Sequence, residues 1–83
     1  MGSQQGKVPA EVQKRVDADI ESVKVLIYSK TYCPFCKATK ALMKSIGVTP
    51  KYIELDVEAQ GPEMQDAVFV RSNQRSVPNI FIG

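Results

Sequence analysis

Val23-Lys24-Val25-Leu26-Ile27-Tyr28-Ser29-Lys30-Thr31-Tyr32-Cys33-Pro34-Phe35-Cys36 decides the fold. Its first six residues are mostly β-branched or apolar and read as a short, buried strand, with Ser29 to Tyr32 as the loop that follows. Cys33 then falls at the N-cap of a helix and Pro34 at its first position, where a missing N–H costs nothing. The helical pattern runs from Pro34 to Ile46, with Ala38, Ala41, Leu42 and Ile46 as the expected inner stripe and Gly47 as the stop. Beyond it, Lys51-Tyr52-Ile53-Glu54-Leu55-Asp56 alternates and reads as a half-buried strand. Strand, helix and strand in that order imply parallel pairing through a right-handed crossover.

Upstream, Val8, Val12, Val16 and Ile20 recur every four residues, so Pro9 to Val23 reads as an amphipathic helix with Pro9 in its first turn. Downstream, Gly61-Pro62-Glu63 opens a third helix whose apolar face is Met64, Ala67 and Val68. The β-prone Val68-Phe69-Val70 competes with that reading, and Asn73 can take the left-handed conformation that ends a helix. Val77-Pro78 introduces a third strand beginning at Ile80-Phe81-Ile82.

The 83 residues suit a single domain near the size at which one core is only modestly stable. Residues 1–7 are expected to form a flexible tail and residues 8–83 the domain. A net charge of +2 argues against an electrostatic nucleic-acid binder. No apolar run approaches membrane-spanning length, and neither a secretory signal nor a lipid anchor is expected; Gly6 stands where a myristoylation signal needs Ser or Thr. The charge is unevenly placed. No acid lies between Ser22 and Ile53, whereas Lys24, Lys30, Lys37, Lys40, Lys44 and Lys51 all do. These lysines are either solvated faces or a field that serves the thiols and an anionic partner.

Cys33 and Cys36 are the only cysteines. The loop that they close is too short to remove much chain entropy, so they make a poor structural staple and suit a reducing, cytoplasmic setting. A helix N-terminus with neighbouring cations lowers a thiol pKa from about 8.5 to roughly 3.5–7.5. Cys33 is placed for that shift, beside the free amides of the first turn and between Lys30 and Lys37, whereas Cys36 lies inside the turn. Cys33 is therefore read as the attacking nucleophile and Cys36 as the resolving thiol. Half of a zinc site is the competing reading. With no His and no further Cys, one chain cannot complete four ligands from thiolate and imidazole, although a dimer could. The absence of His also removes the base that a cysteine protease would need. No resident metal is expected.

Lys30-Thr31-Tyr32-Cys33-Pro34-Phe35-Cys36, Gln65-Asp66 and Gln74-Arg75-Ser76-Val77-Pro78-Asn79-Ile80-Phe81-Ile82 together resemble a dithiol glutaredoxin of the C-P-F-C type. The resemblance implies a thioredoxin-like α/β fold, here a three-stranded mixed sheet flanked by helices, in the order second, first, third strand with the third antiparallel to the first. It implies glutathione as co-substrate, and proteins carrying disulfides or glutathione mixed disulfides as partners. Cys33 would take up the mixed disulfide, and Cys36 would be needed only on the dithiol route. Lys30 and Gln65 would meet the glycyl carboxylate with Arg75 nearby, Tyr32 would flank the groove, and Val77, before a cis Pro78, would offer its backbone to the cysteinyl portion.

The family continues with a fourth strand, a Gly-Gly turn, an Asp-containing loop and a final helix that the sequence does not contain. The expectation is therefore a C-terminally incomplete domain whose third strand is an exposed edge, open to self-association. Two further functions stay in view: a dimer holding an iron-sulfur cluster with two glutathiones, which Pro34 disfavours by family resemblance, and an inactive structural fragment.

Overall fold

Helix α1 (Ala10–Ser22) begins one residue later than its periodicity suggests, because Pro9 is the cap: its carbonyl accepts from Val12 and Gln13 at 3.0 and 3.1 Å. The computed structural model describes residues 8–83, and the expected tail over residues 1–7 lies outside the described residues. Strand β1 (Val25–Ser29) runs into the expected loop, since Ser29 pairs with Glu54 of β2 (Lys51–Glu54) and its carbonyl accepts from Leu55 at 2.8 Å. Helix α2 (Pro34–Ser45) ends at Gly47, whose φ of 76° lets the amides of Gly47 and Val48 bond back to Lys44 and Met43 at 3.2 and 2.9 Å.

Helix α3 (Gly61–Ser72) continues through the β-prone Val68-Phe69-Val70. Burial decides the competition: Met64, Ala67 and Val68 pack into the core, and that gain outweighs a local preference of under about 1 kcal/mol. Asn73 ends the helix at φ 58°, its amide donating to Phe69 at 2.7 Å. Strand β3 (Asn79–Ile82) completes a sheet of order β2-β1-β3, with β1 parallel to β2 and antiparallel to β3, as expected.

The sheet has two unlike faces. On one, Leu26, Tyr28, Ile53 and Phe81 meet Val12 and Val16 of α1 and Met64, Ala67 and Val68 of α3. Tyr28 and Phe81 stack edge to face with ring centres 6.0 Å apart, and Arg71 of α3 reaches Asp17 of α1 at 2.9 Å. On the other face lie Ile27, Ser29, Tyr52, Glu54 and Ile80, and α2 covers part of it.

The expected inner stripe of α2 is not inward. Ala38 and Ala41 are exposed, and Leu42 and Ile46 are 56% and 60% exposed. The helix instead turns Cys36 and Lys40 to the sheet, one turn apart on one face. Ser29 and Glu54 make that part of the sheet polar, and Lys40 answers Glu54 at 2.7 Å. Sequence periodicity identified an apolar line on α2, but the polar sheet surface chose the neighbouring line.

Candidate functional site

The two cysteines sit at the mouth of α2, beyond the β1 end. Cys33 is its N-cap, with extended backbone, and the Cys36 amide donates to Cys33 Sγ at 3.4 Å. The Cys33 amide is itself held by the Lys30 carbonyl at 3.1 Å, which fixes the turn leading into the helix. Donation from the Cys36 thiol, then from the amides of Cys36 and Phe35, together with the charge of Lys30, pulls the Cys33 thiol below its ordinary range. Burial pushes the Cys36 thiol up, and the nearby Cys33 adds to this. The environments thus separate the two thiols in the sense that a nucleophile and a resolving partner require.

Across from them, the Val77–Pro78 bond is cis, and the Val77 carbonyl lies 3.8 Å from Cys33 Sγ. Lys30, Tyr32 and Gln65 come together around an open cavity of about 240 Å³, whose walls include Asp56, Gly61 and Pro62. Arg75 joins this group only through its backbone: its carbonyl accepts from Gln65 Nε2 at 2.7 Å. Its guanidinium is turned to Asp66 at 2.6 Å and over the Phe69 ring at 4.4 Å, away from the cavity wall.

Sequence reasoning missed two features of the site. Asp56 accepts from the Thr31 amide at 3.0 Å and from the Thr31 hydroxyl, pinning the loop between Lys30 and Cys33. Those two bonds, hydroxyl first, hold the Asp56 carboxyl below its usual range. The second is the contact of Glu54 with Ser29 and Lys40 below Cys36. The i,i+4 spacing of Cys36 and Lys40 was a usable signal for part of it, whereas the strand partners were legible only from register. Among the described residues, no group of three His, Cys, Asp or Glu side chains is arranged to hold a metal ion, and no helix is long and apolar enough to cross a membrane.

A family profile described as glutaredoxin matches residues 25–83. The chain is 45% identical over 64 residues to a glutaredoxin from Ricinus communis, covering 77% of this chain and 63% of that one. It is 49% identical over 63 residues to glutaredoxin-C6 of Oryza sativa subsp. japonica, covering 76% of this chain and 56% of that one. The chain therefore spans less than two thirds of the length of these two relatives. Among solved structures, a wheat glutaredoxin superposes with a TM-score of 0.83 at 38% identity, over 92% of this chain and 71% of that one. A buckwheat glutaredoxin–glutathione complex gives 0.79 at 36% identity, over 89% and 71%. With the observed element order, these neighbours establish the thioredoxin-like α/β fold.

Proposed function

The chain belongs to the glutaredoxin family, and on that premise we propose that it is a glutathione-dependent oxidoreductase for protein disulfides and protein–glutathione mixed disulfides. The observation that carries this reading is the asymmetry of the thiols: Cys33 is capped by the amide of Cys36 while Cys36 itself is enclosed. In deglutathionylation, the Cys33 thiolate attacks the glutathione sulfur of the mixed disulfide. The protein–glutathione S–S bond breaks, the departing protein thiolate takes a proton, and Cys33 is left joined to glutathione. A second glutathione thiolate then attacks that glutathione sulfur, releasing oxidised glutathione and the Cys33 thiolate. On a protein disulfide, Cys33 forms the mixed disulfide and Cys36 displaces the bound sulfur, leaving the Cys33–Cys36 disulfide for glutathione to reduce.

Glutathione carries two carboxylates, so its site needs cations and oriented donors. Lys30 and the Gln65 amide supply these for the glycyl carboxylate in the cavity beside Cys33, with Tyr32 along its wall. Arg75 supports the site by holding Gln65 through its carbonyl. The Val77 backbone, before Pro78, meets the cysteinyl portion opposite Cys33. Residues 8–83 act as one domain in a reducing, cytoplasmic setting, and β3 offers an edge through which two copies can associate.

The test is turnover of a glutathionylated protein in the presence of glutathione, with oxidised glutathione measured as product. Release of the protein thiol that depends on both glutathione and Cys33 is expected. Equal release by Cys33→Ser overturns the reading.

A further inference from the structure

Below the active-site turn, Lys40 pairs with Glu54 at 2.7 Å, and the other oxygen of Glu54 accepts from the Ser29 hydroxyl. The Lys40 ammonium also lies 5.4 Å from the centre of the Tyr52 ring. Ser29 is wholly buried and Cys36 is 1% exposed, whereas the Lys40 and Glu54 side chains are 34% and 21% exposed, so water screens the field of this cluster at its outer end and protein surrounds it on the side of Cys36. Lys40 is one helical turn from Cys36 on the same face of α2, and Glu54 projects from β2 towards that face. The direct chemistry at Cys33 uses none of these groups.

We propose that Ser29, Glu54 and Lys40 form a positioning unit for the resolving thiol, which sets how readily Cys36 gives up its proton. The cluster thereby sets how often a mixed disulfide on Cys33 is closed internally rather than passed to a second glutathione. The inference rests on the reading of Cys36 as resolving thiol. In the closing step, Cys36 loses its proton to water and its thiolate attacks Cys33 Sγ. The bond from Cys33 to the bound sulfur breaks, the Cys33–Cys36 bond forms, and the departing thiolate takes a proton from water.

The groups whose charge or hydrogen bonding bears on the Cys36 thiol are Cys33 at the cap of α2, Lys40 from α2, Glu54 from β2 and, from the segment after β1, the Lys30 amide, which favours the thiolate. The negative charge of Glu54 opposes a thiolate at Cys36, and the positive charge of Lys40 favours it. Ser29 and Lys40 hold the carboxylate in place, so the two opposed charges keep fixed positions in the native protein.

Opposite substitutions should therefore act in opposite directions. The rate of Cys33–Cys36 closure from the Cys33–glutathione mixed disulfide can be followed by acid quenching and mass spectrometry over a range of pH. Lys40→Met should slow closure by about three- to tenfold at neutral pH and move its midpoint up; Glu54→Gln should speed it by a similar factor and move the midpoint down. Lys40→Arg should keep the native profile. The alkylation midpoint of Cys36 in a Cys33→Ala background reads the same charges without glutathione, so failure of the glutathione reading leaves this test intact. Shifts of Lys40→Met and Glu54→Gln in the same direction would reduce the cluster to a packing role and overturn the proposal, as would no shift in either.

Discussion

Cys36 donates its amide to the Cys33 sulfur at 3.4 Å while being almost entirely enclosed itself. One residue thus favours the thiolate of the other and resists ionisation on its own account. The helix N-terminus supplies the free amides, and the sheet beneath α2 supplies the enclosure.

The nucleophile can be assigned by substitution. Cys33→Ser should lower the rate on glutathionylated substrates by about two orders of magnitude or more, while Cys36→Ser keeps most of that rate and loses the dithiol route. Steady-state assays on a glutathionylated protein and on a disulfide-bonded protein separate the two, and equal retention by both variants would reverse the assignment.

The pH dependence follows from the directions of the two shifts. Cys33 is held below an ordinary thiol, so its thiolate persists to lower pH than that of a free cysteine and is lost as pH falls through its depressed midpoint; Cys36 is raised and titrates later. Alkylation of the reduced protein should show a first midpoint below the value of about 8.5 for a free thiol and a second above it. A single midpoint at the free-thiol value would contradict the separation.

Lys30 adds its charge to the Cys33 thiolate and lines the adjoining cavity. Lys30→Ala should raise the Cys33 midpoint and weaken the dependence on glutathione by about three- to tenfold. Lys30→Arg should restore the thiol titration more fully than glutathione use, because the two cations differ in shape and reach. Unchanged titration and unchanged glutathione dependence in Lys30→Ala would leave it a surface charge.

Gly61 opens α3 directly against Leu55, the residue that follows β2. A Cβ at this position would collide with the Leu55 carbonyl oxygen, which is backbone and cannot swing aside. Gly61→Ala should cost about 1–3 kcal/mol or more, lowering the thermal midpoint by roughly 4–8 °C per kcal/mol for a domain of this size. Thermal unfolding monitored by circular dichroism measures it, and an unaltered midpoint would show that the contact relaxes freely.

Strand β3 lies at the edge of the sheet, with Ile80 39% and Ile82 76% exposed. Such an edge invites pairing with a second copy. Sedimentation should show association that grows with concentration and that Ile82→Lys suppresses. Sedimentation as a monomer at all concentrations would dismiss that role for the edge.

The local grammar of the chain was sufficient for much of the fold. Val12 and Val16 are inward because their spacing places them on one helical face, and Gly47 and Asn73 terminate helices because each tolerates the positive φ that the stop requires. The Cys33-Pro34-Phe35-Cys36 segment likewise carried its own thiol asymmetry, since the cap and the first-turn amides are neighbours in sequence. What the sequence by itself could not determine was which face of α2 meets the sheet. Leu42 and Ile46 share an apolar line, yet Cys36 and Lys40 turn inward, because Ser29 and Glu54 come into range only once β1 and β2 have paired. The Thr31–Asp56 pin, the approach of Gly61 to Leu55 and the turn of Arg75 towards Asp66 and Phe69 have the same origin. Helix limits, caps and strand alternation depend on residues a few positions apart and are written in the sequence; contacts between distant segments exist only when the fold brings those segments together.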